Sequence, residues 1–129
     1  MSVILLDTNA VLWLLAEDHR LGPATRARLT AGGPVCFSSV STLEVTMKQM
    51  LGRLELPGSL AEAAVASGLT EVAFTSRHAD ALPRFPELVR HDPFDRMLLA
   101  QALAEGMDLV TSDATLLALG QEWVIDARS

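Results

Sequence analysis

Cysteine is nearly absent from this chain: Cys36 is the single one in 129 residues. No internal disulfide is possible, thiolate zinc cages and iron–sulfur clusters are excluded, and a reducing compartment is expected. Long apolar runs are also missing. The longest nearly unbroken one, Ala10 to Ala16, falls far short of the ~20 residues that span a bilayer, so no membrane association is expected. No basic stretch precedes Val3-Ile4-Leu5-Leu6 and Asp7 ends it, so no secretory signal is expected. Basic charge is scarce, with ten Lys and Arg against sixteen Asp and Glu and a net charge of −6. Unaided, that balance argues against a protein that coats itself in nucleic acid. Internal repeats and long linkers are absent.

Half of the residues are apolar and 20% are charged, which rules out a disordered chain. On a prior of roughly 150 residues per domain, the length makes one compact, cytoplasmic domain over residues 1–129. Val3 to Leu6 is a short continuous apolar run, the mark of a strand buried on both faces. Val35-Cys36-Phe37, Glu71 to Thr75, Leu109-Val110-Thr111 and Trp123-Val124-Ile125 read as further strands. Helical patterns lie between them: one after Asp7, one opened by Gly22-Pro23, one from Ser41 to Leu51, one from Pro57-Gly58-Ser59 to about Ser67, and one from Asp95 to Glu105. The segment holding Pro83, Pro86 and Pro93 reads as a loop. Strands alternating with helices call for an α/β fold with a central parallel sheet covered on both faces.

Ligands of such a sheet bind outside the carboxyl ends of its strands. Asp7 ends the first strand, Glu44 lies just inside the helix after the second, Asp92 and Asp95 bracket Pro93-Phe94, and Asp113 follows Leu109-Val110-Thr111-Ser112. Each acid has a plain structural use. Asp is a favoured N-cap, Ser41-Thr42-Leu43-Glu44 has the spacing of a capping box, and Asp92-Pro93-Phe94-Asp95 reads as cap, proline and first-turn acid. Caps do not require the helix starts to share one edge, yet chain direction puts Asp7, Glu44 and Asp113 on the same one. Only Lys48 and Arg96 lie within about one helical turn as basic neighbours. Burying such carboxylates unpaired costs several kcal/mol each, and a hard divalent cation such as Mg²⁺ or Mn²⁺ is the natural solution. One or two such ions can drive a phosphodiester displacement and bring the positive charge that the chain lacks.

Leu5-Leu6-Asp7-Thr8-Asn9 resembles the opening motif of PIN-domain ribonucleases, and Ser38-Ser39-Val40-Ser41-Thr42-Leu43-Glu44-Val45 their second segment. The run from His91 through Asp95 to Ala102 is similar to the signature of VapC-type toxins of bacterial toxin–antitoxin pairs. Thr111-Ser112-Asp113 resembles the closing Thr-x-Asp motif. Order and spacing agree from residue 3 to about residue 126. The resemblance implies a PIN-like α/β/α sandwich with a parallel sheet of four to five strands. It also implies an endoribonuclease dependent on Mg²⁺ or Mn²⁺, with an RNA substrate, a cognate antitoxin and a homodimer. The acidic quartet, serving both as catalytic residues and as metal ligands, maps onto Asp7, Glu44, Asp95 and Asp113. Thr8 and Thr111 fall where a hydroxyl orients a carboxylate, Asn9 is a neighbour, and Asp92 is a supporting residue.

Arg96 is read as contacting phosphate or pairing with an acid of its own helix. Lys48 is read as an i,i+4 partner of Glu44, and His91 as a loop histidine. Trp13 and Trp123 are expected in the core, although Trp13, Leu14, Leu43 and Met47 are also the first residues to suspect in an antitoxin groove. Two other classes were weighed. A haloacid-dehalogenase-like phosphatase needs a second Asp where Asn9 stands, and a receiver domain needs a paired acid and a late Lys that are missing. A non-catalytic interaction module would be expected to have lost acids, and none of the quartet is lost.

Overall fold

The computed structural model describes residues 3–129. Five strands form one parallel sheet in the order β3-β2-β1-β4-β5. They are β1 (Ile4–Leu6), β2 (Val35–Ser38), β3 (Thr70–Val72), β4 (Asp108–Thr111) and β5 (Val124–Asp126). The central strand β1 is buried throughout and pairs Leu5 with both Cys36 and Leu109. Its side chains alternate between two cores, as the two-residue period of a strand dictates. Ile4 and Leu6 join one cluster and Leu5 the other.

The first core is closed by α1 (Thr8–Leu15), α2 (Pro23–Thr30) and α4 (Leu60–Ala66). The second is closed by α6 (Pro93–Glu105) and the short α7 (Ala114–Leu117), through Leu98, Leu99, Ala102 and Leu116. The helix α3 (Ser39–Met50) contributes Val45 to the first core and Val40 to the second. Apolar surface removed from water on both faces drives this three-layer arrangement.

Several boundaries differ from the sequence reading. Strand β3 ends at Val72, because the Phe74 N–H turns away to donate to Ser39 Oγ at 2.9 Å. The proline-rich loop contains the one-turn helix α5 (Ser76–Ala79) and two 3₁₀ turns, Leu82–Arg84 and Pro86–Leu88. Helix α7, too short to show a period, was also not anticipated. Helix α3 starts two residues early, with Ser38 as its cap accepting from the Val40 N–H at 3.0 Å. The expected Ser41–Glu44 capping box therefore does not form, and Glu44 is released from any capping role.

The segment after β5 folds back onto the start of α2. The Gly22 N–H donates to the Ala127 carbonyl at 2.9 Å, Thr25 N–H to Ser129 O at 3.2 Å, and Thr25 Oγ1 to the Asp126 carbonyl at 3.0 Å. Gly22 allows the close approach: a Cβ there would stand 2.0 Å from Ser129 O and 2.4 Å from Arg128 O. No helix among the described residues is long and apolar enough to cross a membrane.

Candidate active site

The carboxyl ends of β1, β2 and β4 open onto a cleft of about 300 Å³ lined by Asp7, Thr8, Asn9, Glu44, Lys48, Asp92, Asp95, Ser112, Asp113, Ala114 and Arg128. All four acids singled out from the sequence are brought together here, with Asp92 beside them.

Asp7 caps α1, accepting from the Ala10 N–H at 2.7 Å through Oδ1. Its other oxygen accepts from Thr111 Oγ1 at 2.8 Å and from the Ser112 N–H at 2.9 Å. Burial nevertheless pushes the carboxyl above its ordinary range, outweighing those three donors, with Glu44 adding to the rise. Glu44 is held from two sides. Thr8 Oγ1 donates to Oε1 at 2.7 Å while lying 2.9 Å from Ser41 Oγ, and Lys48 Nζ donates to Oε2 at 2.7 Å. The expected i,i+4 pair between Glu44 and Lys48 is thus present inside the cleft.

Asp113 caps α7, its Oδ2 accepting from the Leu116 N–H at 2.9 Å. Thr111 links both central acids, since its hydroxyl donates to Asp7 and accepts from the Asp113 N–H at 3.0 Å. Asp92 caps α6, accepting from the Phe94 and Asp95 N–H groups at 2.9 and 3.1 Å, with Pro93 at the first helical position as expected. Asp95 projects from that first turn. Its carboxyl is pushed up to about 7, by burial first and then by the charges of Asp113, Asp92, Asp7 and Glu44. Asn9 Nδ2 donates to Ser112 Oγ at 3.1 Å, tying α1 to the end of β4.

Two residues were placed differently by the sequence reading. His91 is no mere loop histidine: Nε2 lies 3.0 Å from Asp113 Oδ2 and 3.5 Å from Asp95 Oδ2. Its signal was its spacing, four residues before Asp95. Arg96 does not line the cleft. It borders an apolar hollow with Leu82, Pro83, Phe85, Pro86 and Val89, and its buried Nε has no hydrogen-bond partner among the described residues. A different face of α6 carries it there, one position past Asp95 being about 100° around the helix. Arg128, unremarked in the sequence, lines the cleft instead.

Atoms of His91, Asp95 and Asp113 able to ligate a metal lie within 4.8 Å of one another. Asp7 and Glu44 line the same cleft but stand outside that trio. The donor set, oxygen-rich with a single imidazole, suits a hard divalent ion. Burial and then the neighbouring carboxylates push Asp95 up, and a cation bound there would favour its charged form.

Residues 4–121 match the family model of the PIN domain. The chain belongs to the PIN-domain family. This PIN domain is 26% identical over 118 residues to the ribonuclease VapC22 of Mycobacterium tuberculosis, covering 90% of this chain and 91% of the relative. In structure it is similar to VapBC2 from Rickettsia felis bound to a DNA fragment from its promoter. That likeness has a TM-score of 0.67 and 15% identity, covering 95% of this chain and 96% of the other. It is also similar to a toxin–antitoxin complex from Klebsiella pneumoniae, at a TM-score of 0.65 and 19% identity over 96% and 97% of the two chains. These structural likenesses extend the PIN fold over nearly the whole chain.

Proposed function

We propose that this PIN domain, a single domain over residues 1–129, is a metal-dependent endoribonuclease of the cytoplasm and the toxin of a toxin–antitoxin pair. The observation that carries this reading is the convergence of Asp7, Glu44, Asp95 and Asp113 on one cleft, with the Asp95 carboxyl pushed up to about 7 by burial and then by its acidic neighbours. Those four side chains would hold the ion, and His91 is close enough to join them. When bound, Mg²⁺ or Mn²⁺, as one ion or a pair, supplies Lewis-acid polarisation of a phosphodiester.

The chain's own part is positioning. Three donors fix both oxygens of Asp7, Thr8 and Lys48 fix those of Glu44, and Thr111 sets the spacing between Asp7 and Asp113. Preorganised groups of this kind need not reorganise as charge develops on the substrate. A phosphatase reading lacks its second carboxylate, because Asn9 occupies that position and its amide is engaged by Ser112.

RNA as substrate is supported by the ribonuclease VapC22 relative, and an antitoxin by the complexes that the fold resembles. A surface for such a partner lies on α3, where Leu43, Met47, Met50 and Leu51 are exposed along one stripe beside the cleft. Their i, i+4, i+7, i+8 spacing suits an amphipathic helix carrying a basic residue toward the acids. Trp13 does not share in that stripe, being 6% exposed within the first core. The proposed working unit is a homodimer.

Digestion of single-stranded RNA tests the reading. Cleavage with Mg²⁺ or Mn²⁺, none with EDTA, and none by Asp7→Asn are expected. Equal cleavage in EDTA would remove the metal, and equal cleavage by Asp7→Asn would remove the quartet.

A further inference from the structure

The cleft contains two basic side chains of different standing. Lys48 is spent on Glu44. Arg128 lines the same cleft, yet among the described residues no carboxylate lies within ion-pair distance of it. Its guanidinium is nonetheless fixed. It lies 5.1 Å from the centroid of the Trp13 ring, and Nη1 donates to the Ser112 carbonyl at 3.0 Å. The same Ser112 gives its N–H to Asp7, so the backbone of one residue links the anchored cation to the most buried acid of the cleft. Arg20 lies 4.9 Å from that ring as well, but Asp18 neutralises it through two close oxygens.

A guanidinium has five N–H donors in a fixed fork. The ring takes its face and the Ser112 carbonyl one donor, leaving an exposed edge of N–H groups without an anionic partner. A planar fork of that kind matches phosphate bidentately. We propose that Arg128 is a substrate-binding residue, pairing with an RNA phosphate next to the one cleaved. Trp13 acts as its positioning residue by holding the guanidinium flat. This rests on the ribonuclease reading above. It concerns a residue outside positions 4–121 that match the family model.

The experiment compares wild type, Arg128→Gln and Arg128→Lys in steady-state cleavage of a single-stranded RNA with Mg²⁺. Binding of a fluorescent single-stranded RNA is measured alongside, across a KCl series, with and without Arg128→Gln in the Asp7→Asn background. Arg128 is exposed, and thermal melts check that each variant stays folded. For Arg128→Gln, KM should rise about tenfold with kcat within about twofold, the weight of one charge-assisted hydrogen bond. The slope of log affinity against log salt should flatten by about 0.7, one phosphate contact on a single strand. Arg128→Lys should keep that slope while losing part of the affinity. Unchanged KM and slope in Arg128→Gln overturn the proposal, as does a fall in kcat alone accompanied by a lower Tm, which would mark a structural tie. If the wild type itself cleaves no RNA with either metal, the ribonuclease reading falls and takes this inference with it, an outcome distinct from the other two.

Discussion

On one wall of the cleft, Asp7 receives three hydrogen bonds and Glu44 is held by a hydroxyl and an ammonium. On the other, among the described residues, the Asp95 carboxylate has only the imidazole of His91 at 3.5 Å for company and faces four other acids. Both walls are rich in carboxylates, but the first is internally satisfied and the second is left wanting a cation. Donors and an ammonium offset part of the cost of burying acid on the first wall, though Asp7 is still pushed up; on the second wall little offsets it, which costs stability unless a ligand binds.

The sharpest way to break this contrast is Asp95→Asn. RNA cleavage should fall by at least about a hundredfold, since one of the side chains that would hold the ion is lost. Stability should move the other way. Between 3.8 and about 7 the folded protein holds a proton on Asp95 that the unfolded chain releases, so without metal the fold loses stability as pH rises through that window. Asp95→Asn removes the loss. Melts in EDTA should show a higher Tm than wild type at pH 8 and little difference at pH 4. Titrating Mg²⁺ into wild type near pH 6.5 should also release protons, measurable by calorimetry in buffers of differing ionisation enthalpy.

The satisfied wall should respond in the opposite sense. Thr111→Val takes a donor from the buried Asp7 and leaves the part-buried Asp113 N–H unpaired, which should cost about 1–3 kcal/mol in chemical denaturation. A Thr111→Val protein as stable as wild type would mean that this wall, too, is held open for a ligand. Lys48→Met should have a smaller effect, under about 1 kcal/mol, because the pair is partly exposed. Its activity loss of about tenfold, read from kcat, would reflect a looser Glu44. Smallest of all, Glu17 ends α1 at a φ of 52°, so Glu17→Gly should raise stability by about 0.5–1 kcal/mol with cleavage unchanged, a control lying on neither wall.

How much of this was legible beforehand depended on what each residue leans on. The sheet showed through runs such as Val3 to Leu6, because strands buried on both faces have no polar side to interrupt them. The quartet showed because chain direction fixes the edge to which strand ends point. Glu44 was half legible: its capping-box spacing was real on paper, but Ser38 took over the cap and freed it. Arg128 was hidden for another reason: its place depends on contacts with Trp13 and Ser112 across 115 and 16 positions of chain, and no local pattern encodes such distances. His91 was half hidden, since its spacing to Asp95 is local but its contact with Asp113 spans 22 positions. Arg96 misled because adjacency to Asp95 in sequence is nearly a right-angle turn on a helix.

Gly22 carries no charge, no hydrogen-bonding side chain and no place in the cleft, yet the chain leaves no room at that position for even a methyl group. Any side chain there has to push Arg128 and Ser129 off the start of α2. A map of mutational tolerance for RNA cleavage should therefore have an outlier: an intolerant glycine outside the motifs that hold the acids of the cleft, whose variants fold and bind metal but hold substrate poorly. In such a map, intolerance would trace the route by which the chain's last strand is moored, and Gly22→Ala would resemble Arg128→Gln more closely than it resembles a change at any neighbouring residue.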